Sequence, residues 1–75
     1  MGPLNMVENG RTVEVLDIQG GRGMFCRLAV MGIFPGTRLI MVHNGRPGPV
    51  MVALDGKRLG MGFGVAHRIL VKPVN

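Results

Sequence analysis

Apolar and polar residues alternate along much of this chain, and glycine and proline repeatedly interrupt the alternation. After the turn signal Asn9-Gly10, Thr12 to Val15 has the period of two of a half-buried strand, with Val13 and Val15 inward and Glu14 in water. Leu16-Asp17-Ile18 resumes the alternation one residue out of phase, which predicts a bulge or sharp bend. Gly20 to Gly23 reads as a flexible loop. From Met24 to Met31 the spacing becomes helical, placing Met24, Phe25, Leu28 and Met31 on one face and Arg27 away from it. Gly32 then sits where a left-handed glycine ends a helix, and Ile33 is the apolar residue that usually follows. Pro35-Gly36 has the chemistry of a type II turn, proline presetting φ and glycine taking the positive value.

Beyond Thr37 the alternation returns. Leu39 and Met41 share one face of a strand, and Ile40 and Val42 share the other with Arg38. Asn44 to Pro49 is a loop, after which Val50, Val52 and Leu54 line one face, with Met51 and Ala53 behind them. Asp55-Gly56 is a two-residue hairpin signal favouring a type I′ turn, and Leu59 and Met61 continue the inward face on the returning strand. Gly60 to Gly64 forms a loop or a single helical turn, and Ile69 to Val71 is the last strand before Pro73. The prediction is a mostly β domain over residues 1–75, about five short strands with one helix between the first and second. Such a meander closes most simply as a small barrel, which removes exposed edges.

One consequence concerns function. If Leu39, Met41, Val50, Val52, Leu54, Leu59 and Met61 fill the barrel, Ile40, Val42, Met51 and Ala53 must point outward, because a period of two cannot bury both sets. Either the helix covers them or they form a contact patch for a partner. The patch would comprise Ile40, Val42 and Met51, with Phe63 as an aromatic anchor on the following loop.

The motifs of this chain resemble those of the FeoA family of ferrous iron transport proteins. The resemblance is carried by Met31-Gly-Ile-Phe-Pro-Gly-Thr37, then Gly48-Pro-Val50 and Gly56-Lys-Arg-Leu59. It extends through Gly10-Arg-Thr-Val13, Ile18, Gly20-Gly21 and Arg27-Leu28 upstream, and Ala66 and Ile69-Leu-Val71 downstream. It implies an SH3-like β-barrel. It also implies a cytosolic accessory protein of the FeoB transporter, a membrane protein with a cytosolic G domain that imports Fe²⁺. The short chain leaves no room for a DNA-binding or transport domain, so the resemblance implies the free-standing form.

Composition changes this picture little. Of 75 residues 47% are apolar, which argues for a folded domain, and thirteen Gly with five Pro fit a fold rich in turns. Seven Met offset an aromatic content of only 4%, giving a compliant core or contact surface. The N-terminus lacks the charge and apolar run of a signal peptide, and no apolar run approaches the roughly 20 residues that span a bilayer. A cytoplasmic protein without direct membrane insertion is expected.

The net charge of +5 raises nucleic acid as a partner. The nine Lys and Arg are scattered, however, and only Lys57-Arg58 are adjacent, so a solvated basic surface is the simpler account. A small basic nucleic-acid-binding barrel is the second function class, lacking the aromatic platforms such proteins use.

Catalysis finds little support, and no enzyme is expected. Cys26 with His43 or His67 is the only nucleophile–base combination, and Cys26 flanks the apolar helix face as a buried structural cysteine would. Glu8, Glu14, Asp17 and Asp55 are scattered, and the two His have no ligand spacing, so no metal or cofactor site is expected. Gly60-x-Gly-x-Gly64 lacks the context of a phosphate loop. Self-association is open, since an apolar outer face could pair with itself.

Overall fold

The alternating segments do become strands, and each buries the set of residues that its period of two selects. In the computed structural model, which describes residues 1–74, the chain runs β1 (Gly2–Pro3), a 3-10 turn (Leu4–Met6), β2 (Thr12–Ile18) and α1 (Gly21–Val30). It continues through β3 (Arg38–Asn44), β4 (Val50–Leu54), β5 (Lys57–Met61), α2 (Phe63–His67) and β6 (Ile69–Pro73). The six strands form one antiparallel sheet of order β1-β6-β2-β3-β4-β5. The sheet curls around a core to which β2 gives Val13 and Val15, β3 Leu39 and Met41, β4 Val50 and Val52, and β6 Ile69 and Val71. Leu28, Ile33 and Ala66 add the inner sides of the helical segments. The barrel is not closed, because β5 pairs only with β4.

The reversal between α1 and β3 is fixed by backbone chemistry. Gly32 takes φ +86°, its N–H donates to the Ala29 carbonyl at 2.9 Å, and the Ile33 N–H donates to the Leu28 carbonyl at 2.9 Å. Together these bonds make the Schellman motif that satisfies the last carbonyls of a helix. Its apolar partners, Ile33 and Leu28, are both fully buried. Next, the Thr37 N–H donates to the Phe34 carbonyl at 3.0 Å around Pro35 and Gly36, whose φ is +95°. The Thr37 hydroxyl donates to the Gly32 carbonyl at 3.3 Å, joining the two turns. Gly36 N–H to Val15 carbonyl and Val15 N–H to Thr37 carbonyl, each 2.8 Å, pin the turn to β2.

Both interruptions along the strands are bulges. The β2–β6 register shifts between Val15 and Asp17, where the alternation changes phase, and the Asp17 carboxylate accepts from the Ile18 N–H at 2.9 Å. A second shift, between Met41 and His43 opposite Met51, is not marked by a break in the pattern, because Leu39 to Val42 is an uninterrupted apolar run that fits either register. At the β4–β5 hairpin, Asp55 and Gly56 have φ of 50° and 77°, both positive as a type I′ turn requires.

The expected strands, about five, are present with one addition: Gly2–Pro3 pairs with Val71 and Leu70 of β6, a pairing too short to leave a period. Two expectations are corrected. The helix begins at Gly21 rather than Met24, its first turn concealed by glycines of poor helix propensity. Cys26 is exposed rather than buried: α1 turns Leu28 inward with Met24 and Met31 partly buried, and a residue two positions from Met24 lies on the far side. Phe25 is likewise 42% exposed, at the margin of the buried stripe.

The N-terminal segment belongs to the core. Leu4 is fully buried, and the 3-10 turn packs against α2, β3 and β6. Asn44 holds the following loop, donating from its Nδ2 to the Val7 carbonyl at 3.4 Å and from its backbone N–H to the Asn9 Oδ1 at 2.9 Å. Asn5 is buried beside Leu4, and its Oδ1 has no protein hydrogen-bond partner.

Two stability outcomes follow from this arrangement. Leu4→Ala should lower the urea-unfolding free energy by about 2–5 kcal/mol, as a core truncation does, while Met6→Ala, at a residue 61% exposed, should change it by less than about 1 kcal/mol. Gly32→Ala should cost about 1–2 kcal/mol, because the residue must hold positive φ and its new Cβ would stand 3.2 Å from Leu54 Cδ2.

Candidate functional site

Cross-strand pairing shows what the outer sheet face presents. Thr12 pairs with Ile40, Ile40 with Ala53 and Ala53 with Arg58, so these four form one row across β2, β3, β4 and β5. The neighbouring row is Lys72, Glu14 and Arg38. On the other side, the β3 bulge sets Val42 and His43 against Met51, which in turn pairs with Gly60. An apolar strip of Ile40, Ala53 and Met51 therefore runs between cationic groups. Glu14 is the acid among them, 3.8 Å from Arg38 Nε, an exposed ion pair contributing about 0–1 kcal/mol.

The helix does not cover this strip. α1 packs on β2, and Ile40 remains 45% exposed. Val42 and Met51 are half-buried, Val42 because the bulge takes it out of the simple alternation. Phe63 is 51% exposed, but it does not stand on the sheet: it opens α2, the single helical turn that is one of the two expectations for Gly60 to Gly64, displaced to Phe63–His67. Three of the four candidate contact residues thus share one face, and the fourth is carried by a separate element that packs on the 3-10 turn and β6.

The remaining candidate groups are dispersed. Among the described residues no three of His, Cys, Asp and Glu converge as metal ligands. His43 Nδ1 accepts the Gly45 N–H at 3.2 Å, which shapes the β3–β4 loop, and His67 is exposed at the end of α2. The phenylalanines occupy α1, the α1–β3 turn and α2, so no strand row combines aromatic stacking with positive charge. No helix of the described residues is long and apolar enough to cross a membrane.

A feature the sequence pattern did not single out lies at the other end of the sheet. Between the end of α1 and the β4–β5 hairpin is a cavity of about 300 Å³ lined by Val30, Phe34, Leu54 and Leu59 among others. Val30 is 90% exposed. Its place off the buried helix stripe was a readable signal, but the hairpin that completes the groove is distant in sequence.

Comparison with known proteins is consistent along the whole chain. The FeoA domain family matches residues 2–73. A protein of Methanocaldococcus jannaschii named "Putative Fe(2+) transport protein A" is 36% identical over 72 residues, covering 96% of this chain and 87% of the relative. The crystal structure of an iron uptake regulatory protein (FeoA) superposes with a TM-score of 0.88 at 29% identity, covering 97% of this chain and 96% of that one. The zinc complex of Stenotrophomonas maltophilia FeoA, described as a procaryotic SH3 domain protein, has a TM-score of 0.80 at 22% identity, over 96% and 91% of the two chains. At that identity the likeness establishes the fold, an SH3-like β-barrel.

The two sheet faces should respond differently to substitution. Ile40→Thr keeps a β-branched side chain in water and should shift stability by no more than about 0.5 kcal/mol, whereas Leu39→Ala one residue away should cost about 2–5 kcal/mol. Paired urea titrations measure both.

Proposed function

Since the chain belongs to the FeoA domain family, we propose that it serves as a small accessory subunit of a FeoB-type ferrous iron transporter, acting from the cytosolic side by protein–protein contact. The observation that carries this reading is the unshielded apolar strip on the outer face. Ile40 at 45% exposure costs stabilisation that a polar residue would not, and a contact that removes it from water recovers about 25 cal/mol for each Å² buried. Met51 suits such a surface, being flexible enough to fit an irregular partner. Val42 extends the strip, and Phe63 supplies an aromatic anchor from α2. In this reading the subunit has no catalytic group of its own, and ferrous iron is the transporter's cargo rather than a ligand of this chain.

The surrounding charge adds direction. Arg38, Arg58 and Lys72 outnumber Glu14 around the strip, so an acidic patch on the transporter's cytosolic part would be steered toward it and contact would weaken with salt. The names of the relatives, Fe(2+) transport protein A and iron uptake regulatory protein, support placing the contact in ferrous iron uptake.

Co-purification of the tagged chain with its detergent-solubilised cognate transporter tests the reading. The wild type should retain the transporter, and Ile40→Asp combined with Met51→Lys should lower retention at least about tenfold with an unchanged unfolding midpoint. A wild type that retains no more than the double variant would remove the proposal. Phe63→Ala should weaken retention less than the double variant does; a loss confined to Phe63→Ala, with the double variant still retaining the transporter, would move the contact onto α2.

A further inference from the structure

The open seam of the barrel has a hydrogen-bonding pattern that can be read from its register. Leu54 and Lys57 flank the Asp55-Gly56 turn and form the bonded pair that closes the hairpin. Bonded and non-bonded pairs alternate along an antiparallel ladder. Val52–Leu59 and Val50–Met61 are therefore bonded pairs, whereas Arg58, opposite Ala53, and Gly60, opposite Met51, turn their N–H and C=O groups away from β4. β5 has no second neighbour in the sheet, so among the described residues these groups have no strand partner. Arg58 and Gly60 are both exposed, and Gly60 leaves the edge free of a side chain at that step.

A second feature lies along the same edge. Lys57 and Leu59 belong to the inner face of β5, and both line the apolar groove formed with Val30, Phe34 and Leu54. A strand laid beside β5 would place alternate side chains over that groove and the others on the outer face, next to Arg58. We propose that the β5 edge is a docking site for an extended segment of another protein in which apolar and acidic residues alternate: the backbone pairs with Arg58 and Gly60, the apolar side chains enter the groove, and the acidic ones face Arg58. This contact shares Arg58 with the charges around the sheet face, but it uses the strand edge and the groove and does not require the apolar strip to be covered.

Charge selects this occupant over a second copy of the chain. Antiparallel self-pairing centred on Leu59 would set Arg58 against Gly60 of the other copy and bring the two arginines to diagonal positions about 7–8 Å apart, in molecules each carrying a net charge of +5. Lys57 and Arg58 thus discourage self-pairing at the edge, while the same charges attract an acidic strand.

Nuclear magnetic resonance titration of the full chain tests the proposal, with a capped peptide of roughly eight residues alternating Glu and Val as probe and a Lys-Val peptide as control. The Glu-Val peptide at about 1 mM should shift the Arg58 and Gly60 amides and slow their hydrogen exchange at least about tenfold; the control should not. Gly60→Pro, which removes an outward donor and no bond to β4, should abolish the effect with an unchanged unfolding midpoint. Arg58→Glu should transfer the preference to the Lys-Val peptide, a readout that survives if the proline variant fails to fold. Absence of any response to the Glu-Val peptide overturns the proposal, as does a response indifferent to Arg58→Glu. Protection of the same amides that rises with protein concentration alone would make the occupant a second copy and overturn it too. None of these outcomes bears on retention of the transporter, which is measured separately.

Discussion

The fold depends on one reversal, the passage from α1 into β3. Six residues from Gly32 to Thr37 end a helix, turn the chain and begin a strand, using backbone bonds that a side chain at Gly32 would strain. The Schellman bonds leave Leu28 and Ile33 in contact with the core, and the following turn is tied to β2 through Val15 and Gly36. This fixes where β3 starts, and hence that Leu39 and Met41 face inward while Ile40 faces out. A shift of one residue would exchange those faces. The constraint is local in chemistry and global in consequence.

The outward apolar residues and the open seam share one cause. A domain of this length has little material with which to cover its sheet, and its helix spends its buried stripe on β2. The 3-10 turn packs against α2, β3 and β6, and the strip around Ile40 and the edge of β5 are among the parts of the sheet left without cover. An SH3-like barrel of this construction has contact surface to offer and a rigid frame to hold it.

Legibility in the sequence followed the range of the interaction. Alternation identified β2 through β5 and their buried sides, an apolar run marked β6, and the glycine and proline signals identified both turns around Pro35 and the hairpin at Asp55. The β2 bulge was legible because the pattern itself slips at Leu16. The β3 bulge was not, because Leu39 to Val42 is apolar throughout and the partner strand decides the register. Cys26 was misplaced because Phe25 was counted in the buried stripe; the stripe runs through Met24, Leu28 and Met31, and a residue two positions from Met24 lies on the opposite side whatever the helix start. Of the candidate contact residues, Ile40, Val42 and Met51 came from asking which set the barrel cannot bury, and their grouping on one face is what the pairing shows. Phe63 was associated with them by proximity in sequence, and its helix packs elsewhere.

By itself, then, the sequence determined the family, the turns and the inner faces of β2 to β5, since these rest on φ preferences and on periods read over a few residues. Only the tertiary structure decided that Leu4 completes the core, that α1 leaves Ile40 in water, and that Val30 and Phe34 meet the β4–β5 hairpin around one groove. Those facts depend on which segments, far apart in the chain, come to lie against one another. Hydrophobic burial is not directional and leaves no local mark of its partner.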